Sequence, residues 1–327
     1  MRGRLDVATR TWPLREPFVI SRGAETVCEV IVVRLERGAH AGLGEAVGVS
    51  YHGETLQSML AQIESIRDTV EAGVSRQELL GLLPAGGARN ALDAALWDLE
   101  AKERGVRAWE LAGIRSAVPI VTTVTIGIRS IEAYEQRARE LADHPWLKIK
   151  VGADHSLEAV RAVRRGAPDA RLVVDANQAW SVAQLIELAP AMAELRVDLL
   201  EQPVDAADDV GLVKLDLPIP VCADEPVNTV ADLPRIVDRY DFVNIKLDKS
   251  GGLTAALELA HAALGSGLRL MVGCMVGGSV AMAPAMVLAQ LCEIADLDGP
   301  LLQAEDWAQA ISYDRGVMSL PSRSLWG

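Results

Sequence analysis

The 327-residue sequence predicts an α/β protein: a (β/α)8-type TIM barrel preceded by a smaller α+β domain. Three observations predict this fold. From about residue 118 onward, short apolar runs recur eight times and most are followed by a helical pattern. The first 117 residues instead contain extended stretches followed by amphipathic helices. Charged side chains also recur near the ends of the predicted strands, about one βα unit apart.

The N-terminal region, residues 1–117, has the pattern of an α+β domain. Extended stretches at 4–14 and 28–49 predict a small antiparallel sheet with a turn near Gly38 to Gly42. Helical periodicity follows at 54–70 and at 88–105, and the second helix ends with Lys and Arg before a glycine.

The barrel is predicted over residues 118–300. Its strands are placed at 118–127, 146–152, 171–177, 197–203, 218–225, 242–249, 268–275 and 293–299. Candidate helices lie between them at 130–143, 156–166, 229–239 and 253–267. Residues 270–292 carry no charge, but their Gly and Pro residues favour a buried strand plus a helix over a membrane span. The segment 301–327 is expected to return to the N-terminal domain.

Composition excludes several classes of function. The formal net charge is −13 and no basic cluster interrupts it, which argues against nucleic acid and against an anionic membrane surface as partners. The four cysteines are scattered and indicate neither a disulfide framework nor a zinc site. The N-terminus lacks the apolar run of a signal peptide, so a cytoplasmic protein is expected. A homo-oligomer is possible.

Polar side chains stand near the C-terminal ends of the predicted strands, where the chemistry of such barrels is located. Key positions are separated by 25 residues (Lys150 to Asp175), 26 (to Glu201), 23 (to Asp224) and 22 (to Lys246), so they should lie on neighbouring strands at similar heights. Strand by strand, the polar residues are Lys148 and Lys150, Asp175 and Asn177, Glu201, Asp224 and Glu225, Lys246 and Asp248, and finally Asp296 and Asp298 on the eighth strand.

Three carboxylates on adjacent strands repel one another unless a cation joins them. Hard oxygen ligands with open positions suit Mg²⁺, so Asp175, Glu201 and Asp224 are candidate ligands. Lys150 and Lys246 flank that position from strands four apart. This is the arrangement needed to remove a proton beside a metal-bound carboxylate and return one to the opposite face, which inverts the carbon.

Lys148 alternates with Lys150 on the second predicted strand, so both side chains share one face. A neighbouring cation disfavours protonation, and Lys148 together with Mg²⁺ would therefore help Lys150 to act as a base. We expect both lysines to face the mouth of the barrel.

Several stretches resemble the barrel motifs of the enolase superfamily, in particular its muconate lactonizing enzyme subgroup. They are "LKIKVG", "VVDAN", "LEQP", "VCADE" and "VNIKLDKSGG", and "ARNALDAALWDLEAKERG" resembles a helix of the family's capping domain. The resemblance implies Mg²⁺ as cofactor, held by Asp175, Glu201 and Asp224. It implies Lys150 and Lys246 as paired acid/base residues, with Lys148 as helper and Asn177 and Glu225 behind the ligands.

Within that subgroup, "ADLDG" resembles the dipeptide epimerases, in which an Asp-x-Asp pair binds the α-ammonium of the substrate. Asp296 and Asp298 match that pair. In "PFVISRG", Arg22 matches the arginine that L-Ala-D/L-Glu epimerases use for the glutamate side chain, and Thr123 matches a position that touches substrate. The resemblance therefore implies epimerisation of a dipeptide, L-Ala-D/L-Glu in particular, through an enediolate at the C-terminal residue, with murein peptides as the source. The seventh strand, "VGCMVGGS", departs from many relatives and leaves the contacts made there open.

The sequence leaves other functions open. A dipeptide epimerase of other specificity, an N-acylamino acid racemase, an o-succinylbenzoate synthase or a cycloisomerase would use the same two lysines. The substrates of the last three lack a free ammonium group, so the Asp296 and Asp298 pair argues against them. A non-catalytic, metal-stabilised binding barrel would not need a lysine on each side of the metal.

Overall fold

A computed structural model describes residues 2–20, 23–213 and 215–327 of the chain. In this part of the chain the strands form an antiparallel sheet of three strands, a parallel sheet of eight and a further small sheet of three. The predicted fold class, a barrel with an α+β capping domain, is confirmed. No helix in the described ranges is both long and apolar enough to cross a membrane.

Helices follow the strands of the N-terminal sheet in the chain, and the longest of them packs against one face of the sheet. Its strands are β1 (Arg4–Ile20), β2 (Gly23–Arg37) and β3 (His40–Ala46), and the helices are α1 (Leu56–Ser65), α2 (Arg67–Gly73), α3 (Arg76–Leu82), α4 (Gly87–Arg104) and α5 (Ala108–Leu111). Alternate residues of β2, Ile31, Val33 and Leu35, are buried against α4, as period-two patterning requires. Strand β3 lies so close to α4 that a Cβ on Gly44 would come within 2.0 Å of the Ala91 carbonyl oxygen.

The single helix predicted over 54–70 is wrong in one respect, because the structure has two helices there. Ile66 has φ −118° and ψ 9°, outside the helical region, and separates α1 from α2. The next residue, Arg67, donates from Nη1 to the Leu5 carbonyl oxygen of β1 at 2.5 Å. The second helix is thereby attached to the sheet.

The barrel follows a two-residue strand, β4 (Ile120–Val121). Its eight strands are β5 (Val124–Ile126), β6 (Trp146–Lys150), β7 (Arg171–Asp175), β8 (Val197–Glu201), β9 (Val221–Ala223), β10 (Phe242–Lys246), β11 (Arg269–Gly273) and β12 (Ile294–Asp296). Neighbours in the chain pair in parallel throughout, and the Thr123 N–H donates to the Ala295 carbonyl oxygen at 2.8 Å, which closes the ring. Each of the eight strands lies within its predicted range, but residues 247–249, predicted as the end of the sixth strand, belong instead to a short helix.

The helices of the barrel are unequal. They are α6 (Ile131–Glu140), α7 (Ser156–Gly166), α8 (Val182–Glu194), α9 (Leu233–Ile236), α10 (Leu247–Ser250), α11 (Leu253–Gly265), α12 (Ser279–Ala289) and α13 (Gly299–Leu302). Short 3-10 turns occur at Ser50–His52, Asp209–Leu212 and Val230–Asp232. The uncharged stretch 270–292 contains most of β11 and helix α12, whose residues are all buried except the partly exposed Ala281, as predicted for a buried strand plus a helix.

The last residues run back along both parts of the molecule. Strand β13 (Tyr313–Asp314) pairs with β14 (Val317–Met318), and β14 pairs with β4. Trp326 donates from Nε1 to the Ala94 carbonyl oxygen of α4 at 3.2 Å, and the Gly327 N–H donates to Asp98 at 2.6 Å.

Alternation along the barrel strands separates an apolar layer from a charged one. A cluster of buried side chains fills the lower part of the barrel: Trp146, Val173, Leu199, Cys222, Phe242, Met271 and Ile294. Two residues further along each of six of these strands, the side chain on the same face is Lys148, Asp175, Glu201, Asp224, Asn244 or Asp296. The charged layer therefore lies directly above the apolar one, at the C-terminal ends of the strands.

One buried carboxylate at the junction of α4 and the barrel makes stability depend on pH. Asp93 accepts hydrogen bonds from the Thr254 N–H (3.0 Å) and hydroxyl (2.5 Å), and burial raises the pKa of Asp93 to about 6. Because this folded-state pKa lies above the unfolded value of about 3.9, stability from this group is present below pH 4 and is lost as the pH rises through 6. The loss amounts to about 3 kcal/mol.

We therefore expect Asp93→Asn to lose less stability than the unaltered protein between pH 4 and pH 7. Urea denaturation at several pH values measures this difference. The matched control is Asp169→Asn at an exposed aspartate, which should leave the pH dependence unchanged. Parallel pH curves for the Asp93→Asn variant and the unaltered protein would contradict the prediction.

Candidate active site

Lys148 lies at the centre of the charged layer. Its Nζ is 2.7 Å from Asp296 Oδ2, 2.7 Å from Glu201 Oε2 and 3.1 Å from Asp175 Oδ2, and its side chain is only 1% exposed. Burial acts to lower the pKa of Lys148, but these three carboxylates outweigh it and hold the pKa well above its usual value. Lys148 is therefore a fixed positive charge in this structure.

Lys150 is on the same strand as Lys148, β6, and contacts residues of the neighbouring strand β7 and of the loop after it. Its Nζ donates to Asp175 Oδ2 at 2.6 Å and to Asn177 Oδ1 at 3.1 Å. Asp175 in turn accepts the Asn177 N–H at 2.9 Å, and Asn177 has φ +43°. Burial acts to raise the pKa of Asp175, but the ammonium groups of Lys150 and Lys148 hold it well below its usual value.

Lys246 lies on the other side of the ring, on β10, four strands from Lys150. Its Nζ donates to Asp224 Oδ2 at 2.7 Å. Burial acts to lower the pKa of Lys246, but Asp224 and Glu201 raise it. Lys150 and Lys246 thus approach the same group of carboxylates from opposite sides.

Sequence reasoning missed Lys249. Its Nζ donates to Asp224 Oδ1 at 2.6 Å, so that Asp224 lies between two ammonium groups, and its side chain is wholly buried. The signal was available in "IKLDKSGG": a single helical turn after Lys246 places residue 249 near it. Gln202 was missed as well, and its Oε1 accepts the Asp224 N–H at 2.8 Å.

In two carboxyl groups of the site the effect of burial on the pKa is not outweighed by the neighbouring ammonium groups. Burial and the neighbouring Asp175 together raise the pKa of Glu201 to about 7, against the opposing effect of Lys148. Burial likewise raises the pKa of Asp298 to about 7, and Asp296 adds to the effect. Glu201 accepts a hydrogen bond from Asn244 Nδ2 at 2.9 Å.

The remaining predicted site residues are placed as follows. Asp298 Oδ2 accepts the Thr125 N–H at 2.6 Å, and Asp296 Oδ1 accepts the Thr123 hydroxyl at 2.7 Å. Thr123 is wholly buried just before β5, while Thr125 lines the cavity described below. Glu225 follows Asp224 and is buried. Arg22 lies outside the residues that the structure describes.

A cavity of about 750 Å³ covers the charged layer. Its walls come from the β1–β2 hairpin, from the loop after β3 and from the loop after β11. The site side chains that line it are Lys148, Lys150, Asn177, Lys246, Asp296 and Asp298. Asp175, Glu201 and Asp224 are at most 1% exposed and lie beneath the lysines.

The donor set fits a hard divalent cation. Asp175, Glu201 and Asp224 supply carboxylate oxygens from three consecutive strands, and Glu201 Oε2 makes no hydrogen bond and only the charge contact with Lys148. Within the described residues no three His, Cys, Asp or Glu side chains already surround a common point at metal-binding distances. The lysine ammonium groups neutralise the carboxylates here.

The fold and the site together define a TIM-barrel enzyme with a capping domain. Residues 4–113 match the family model "Mandelate racemase / muconate lactonizing enzyme, N-terminal domain", and residues 132–324 match "Enolase C-terminal domain-like". The chain therefore belongs to the mandelate racemase / muconate lactonizing enzyme family of the enolase superfamily.

Two curated relatives match over nearly the whole chain. The L-Ala-D/L-Glu epimerase of Escherichia coli (strain K12) is 41% identical over 96% of this chain and 98% of its own length. The N-acetyl-D-glutamate racemase of Pseudoalteromonas sp is 37% identical over 91% of this chain and 95% of its own length.

Solved structures also match this chain over nearly its whole length. An enolase family member from Agrobacterium tumefaciens with homology to dipeptide epimerases, solved with bound sodium and L-Ala-L-Glu, has a TM-score of 0.97 and 42% identity, covering 99% of this chain and 100% of that one. A dipeptide epimerase from Methylococcus capsulatus, complexed with Mg and the dipeptide L-Arg-D-Lys, has a TM-score of 0.91 and 32% identity, covering 99% and 98%.

Proposed function

We propose that this protein is a Mg²⁺-dependent dipeptide epimerase that acts on L-Ala-D/L-Glu. One observation carries the proposal: Lys150 and Lys246 line one cavity from strands four apart, each beside a buried carboxylate. Such a pair can serve the two faces of a single carbon. The similarity to the E. coli L-Ala-D/L-Glu epimerase supports this choice of substrate.

The two lysines carry out the proton transfer. One lysine, as the free amine, takes the α-proton of the C-terminal residue, and the electron pair of the broken C–H bond moves into the carboxylate to give an enediolate. The opposite lysine, as the ammonium, donates its proton to the other face of the carbon. The configuration inverts, and the two lysines have exchanged protonation states. Lys148 remains charged beneath them.

Asp175, Glu201 and Asp224 would hold the Mg²⁺, and Asn177 and Glu225 would support Asp175 and Asp224. When bound, the ion supplies positive charge next to the substrate carboxylate and so makes the adjacent carbon more acidic. Asn177 fits its role because its side-chain oxygen contacts Lys150 while its N–H contacts Asp175.

The substrate's α-ammonium would lie against Asp298 and Asp296. Asp296 already accepts hydrogen bonds from Lys148 and Thr123, so Thr123 would act by orienting Asp296. Asp298, which accepts the Thr125 N–H, would make the more direct contact with the α-ammonium group. Arg22 would contact the glutamate carboxylate of the substrate.

We expect Asp298→Asn to raise the KM for L-Ala-L-Glu by about 10- to 100-fold, the value of a charge-assisted hydrogen bond. The amide oxygen can still accept the Thr125 N–H, so the fold should be kept. The control ligand is N-acetyl-L-Ala-L-Glu, which has no ammonium group and whose inhibition constant should change less than about twofold. Equal weakening for both compounds would contradict the role.

Proton NMR of L-Ala-L-Glu with the protein and Mg²⁺ in D₂O tests the function directly. We expect loss of the glutamate α-proton signal and growth of the L,D diastereomer. Exchange with another dipeptide only would retain the mechanism and remove the role of Arg22. No exchange with any dipeptide would exclude the proposal.

Racemisation of an N-acylated amino acid is the second candidate. The N-acetyl-D-glutamate racemase of Pseudoalteromonas sp favours it, and so does the raised pKa of Asp298, since a neutral carboxyl group can lie against an uncharged acylamino group. The same NMR experiment with N-acetyl-L-glutamate distinguishes the two substrates.

Four further properties are proposals as well. We divide the chain into a capping domain (1–117), a barrel (118–300) and a C-terminal segment (301–327), which the contacts of Trp326 and Gly327 with α4 support. A cytoplasmic location and a possible homo-oligomer complete them. Murein peptides would be the source of the substrate.

A further inference from the structure

Lys246 is the last residue of β10 and leads directly into a tight turn. The four-residue helix α10 follows at once, and the N–H groups of Gly251 and Gly252 both donate to the Leu247 carbonyl oxygen, at 2.8 and 2.9 Å. No flexible linker separates the lysine from this turn. A shift of the segment 247–252 therefore moves Lys246.

Helix α4 of the N-terminal domain binds this segment through hydrogen bonds. Arg89 donates from Nε to the Gly251 carbonyl oxygen at 2.9 Å and from Nη2 to that of Ser250 at 2.6 Å. Asn90 donates from Nδ2 to Asp248 Oδ1 at 3.0 Å. All of these groups are buried, so water cannot replace the lost partners.

A second element of the same domain binds the same oxygen. The Val47 N–H, just after β3, donates to Asp248 Oδ1 at 3.0 Å. The approach of the two parts is also tight, because a Cβ on Gly251, which has φ +75°, would lie 2.4 Å from Arg89 Nε. The turn therefore packs directly against the Arg89 side chain of α4 and cannot shift without breaking these bonds.

Lys150 is held differently. Its ammonium contacts Asp175 and Asn177, and its carbonyl oxygen accepts the Tyr134 hydroxyl of α6 at 2.5 Å. These partners all belong to the barrel. The contacts of α4 therefore affect the position of Lys246 much more than the position of Lys150.

We propose that Arg89 and Asn90 are positioning residues that set the place of the Lys246 ammonium through the turn 247–252. This inference rests on the proposed two-lysine function. It predicts that removing the hydrogen bonds between α4 and this turn slows proton transfer at one face of the substrate carbon and leaves proton transfer at the other face unchanged.

The test measures α-proton exchange in D₂O separately for L-Ala-L-Glu and L-Ala-D-Glu. Lys246→Ala and Lys150→Ala first show which diastereomer each lysine deprotonates. Asn90→Ala should then slow exchange of the diastereomer served by Lys246 by roughly ten- to a hundredfold, and leave the other within about twofold. Arg89→Lys keeps the charge but loses the paired hydrogen bonds, and it should show the same asymmetry. This second variant keeps the test decisive if Asn90→Ala does not fold.

The matched control is Gln77→Ala, which removes an exposed contact between α3 and α11, the 3.0 Å bond from Gln77 Nε2 to Glu258 Oε1. It should leave both exchange rates unchanged. Equal losses for the two diastereomers in both α4 variants, or no loss in either, would overturn the inference while the proposed function stands. Absence of exchange by the unaltered protein would overturn both.

Discussion

Replacing Lys246 or Lys150 by alanine will reduce epimerisation of L-Ala-L-Glu by roughly 10²- to 10⁴-fold, the usual contribution of a positioned acid or base. Inversion needs both lysines, because one takes the proton and the other returns it. Exchange needs only the lysine on the side of the departing proton. Each variant should therefore retain α-proton exchange with one diastereomer, and the two variants should retain opposite ones.

Proton NMR in D₂O measures both reactions in the same sample. Lys150→Arg is the control for charge, since a guanidinium keeps the positive charge beside Asp175 but does not release its proton. It should be as inactive as Lys150→Ala for the diastereomer that Lys150 serves. Retention of exchange with both diastereomers in either alanine variant would rule out the assignment of one lysine to each face.

Glu201→Gln will weaken Mg²⁺ binding by at least about 100-fold, because loss of a ligand should exceed the 10- to 100-fold typical of groups behind the ligands. The fold should survive. Lys148 keeps Asp175 and Asp296 as partners, and Asn244 can still donate to the amide oxygen. The change removes one negative charge from a wholly buried cluster.

Isothermal titration calorimetry with Mg²⁺ measures the affinity, and thermal unfolding without metal checks the fold. Glu293→Gln is the matched control, an exposed glutamate that pairs with Arg269 at the N-terminal end of β11, the end opposite to the site. It should bind Mg²⁺ like the unaltered protein. Unchanged affinity in Glu201→Gln would mean that the ion is held elsewhere. Removing Mg²⁺ with EDTA should abolish activity in a way that added Mg²⁺ restores.

Several features of the site could be predicted because they depend on local periodicity. A strand places every second residue on one face, so Lys148 and Lys150 had to point the same way. One βα unit has a nearly constant length, so Asp175, Glu201 and Asp224 had to fall on consecutive strands at similar heights. The structure brings these residues into one layer, with Lys246 at its opposite side.

Other features could not be predicted because they depend on contacts between distant segments. Lys249 was predicted as the last residue of the sixth strand, and only the packing of the turn 247–252 places its ammonium group beside Asp224. The pattern near the first strand did not distinguish Thr123, which is bonded to Asp296, from Thr125, which lines the cavity.

By itself, the sequence determined the barrel, its eight strands and the strand-end charges, since hydrophobic period and unit length are properties of neighbouring residues. Only the tertiary structure decided which charges meet and which part of the molecule holds them. Asn90 and Asp248 are 158 residues apart in the chain, and the bond between them exists because two domains pack together. Burial, which raises the pKa values of Asp93, Glu201 and Asp298, is likewise a property of the packed molecule and of no single stretch of it.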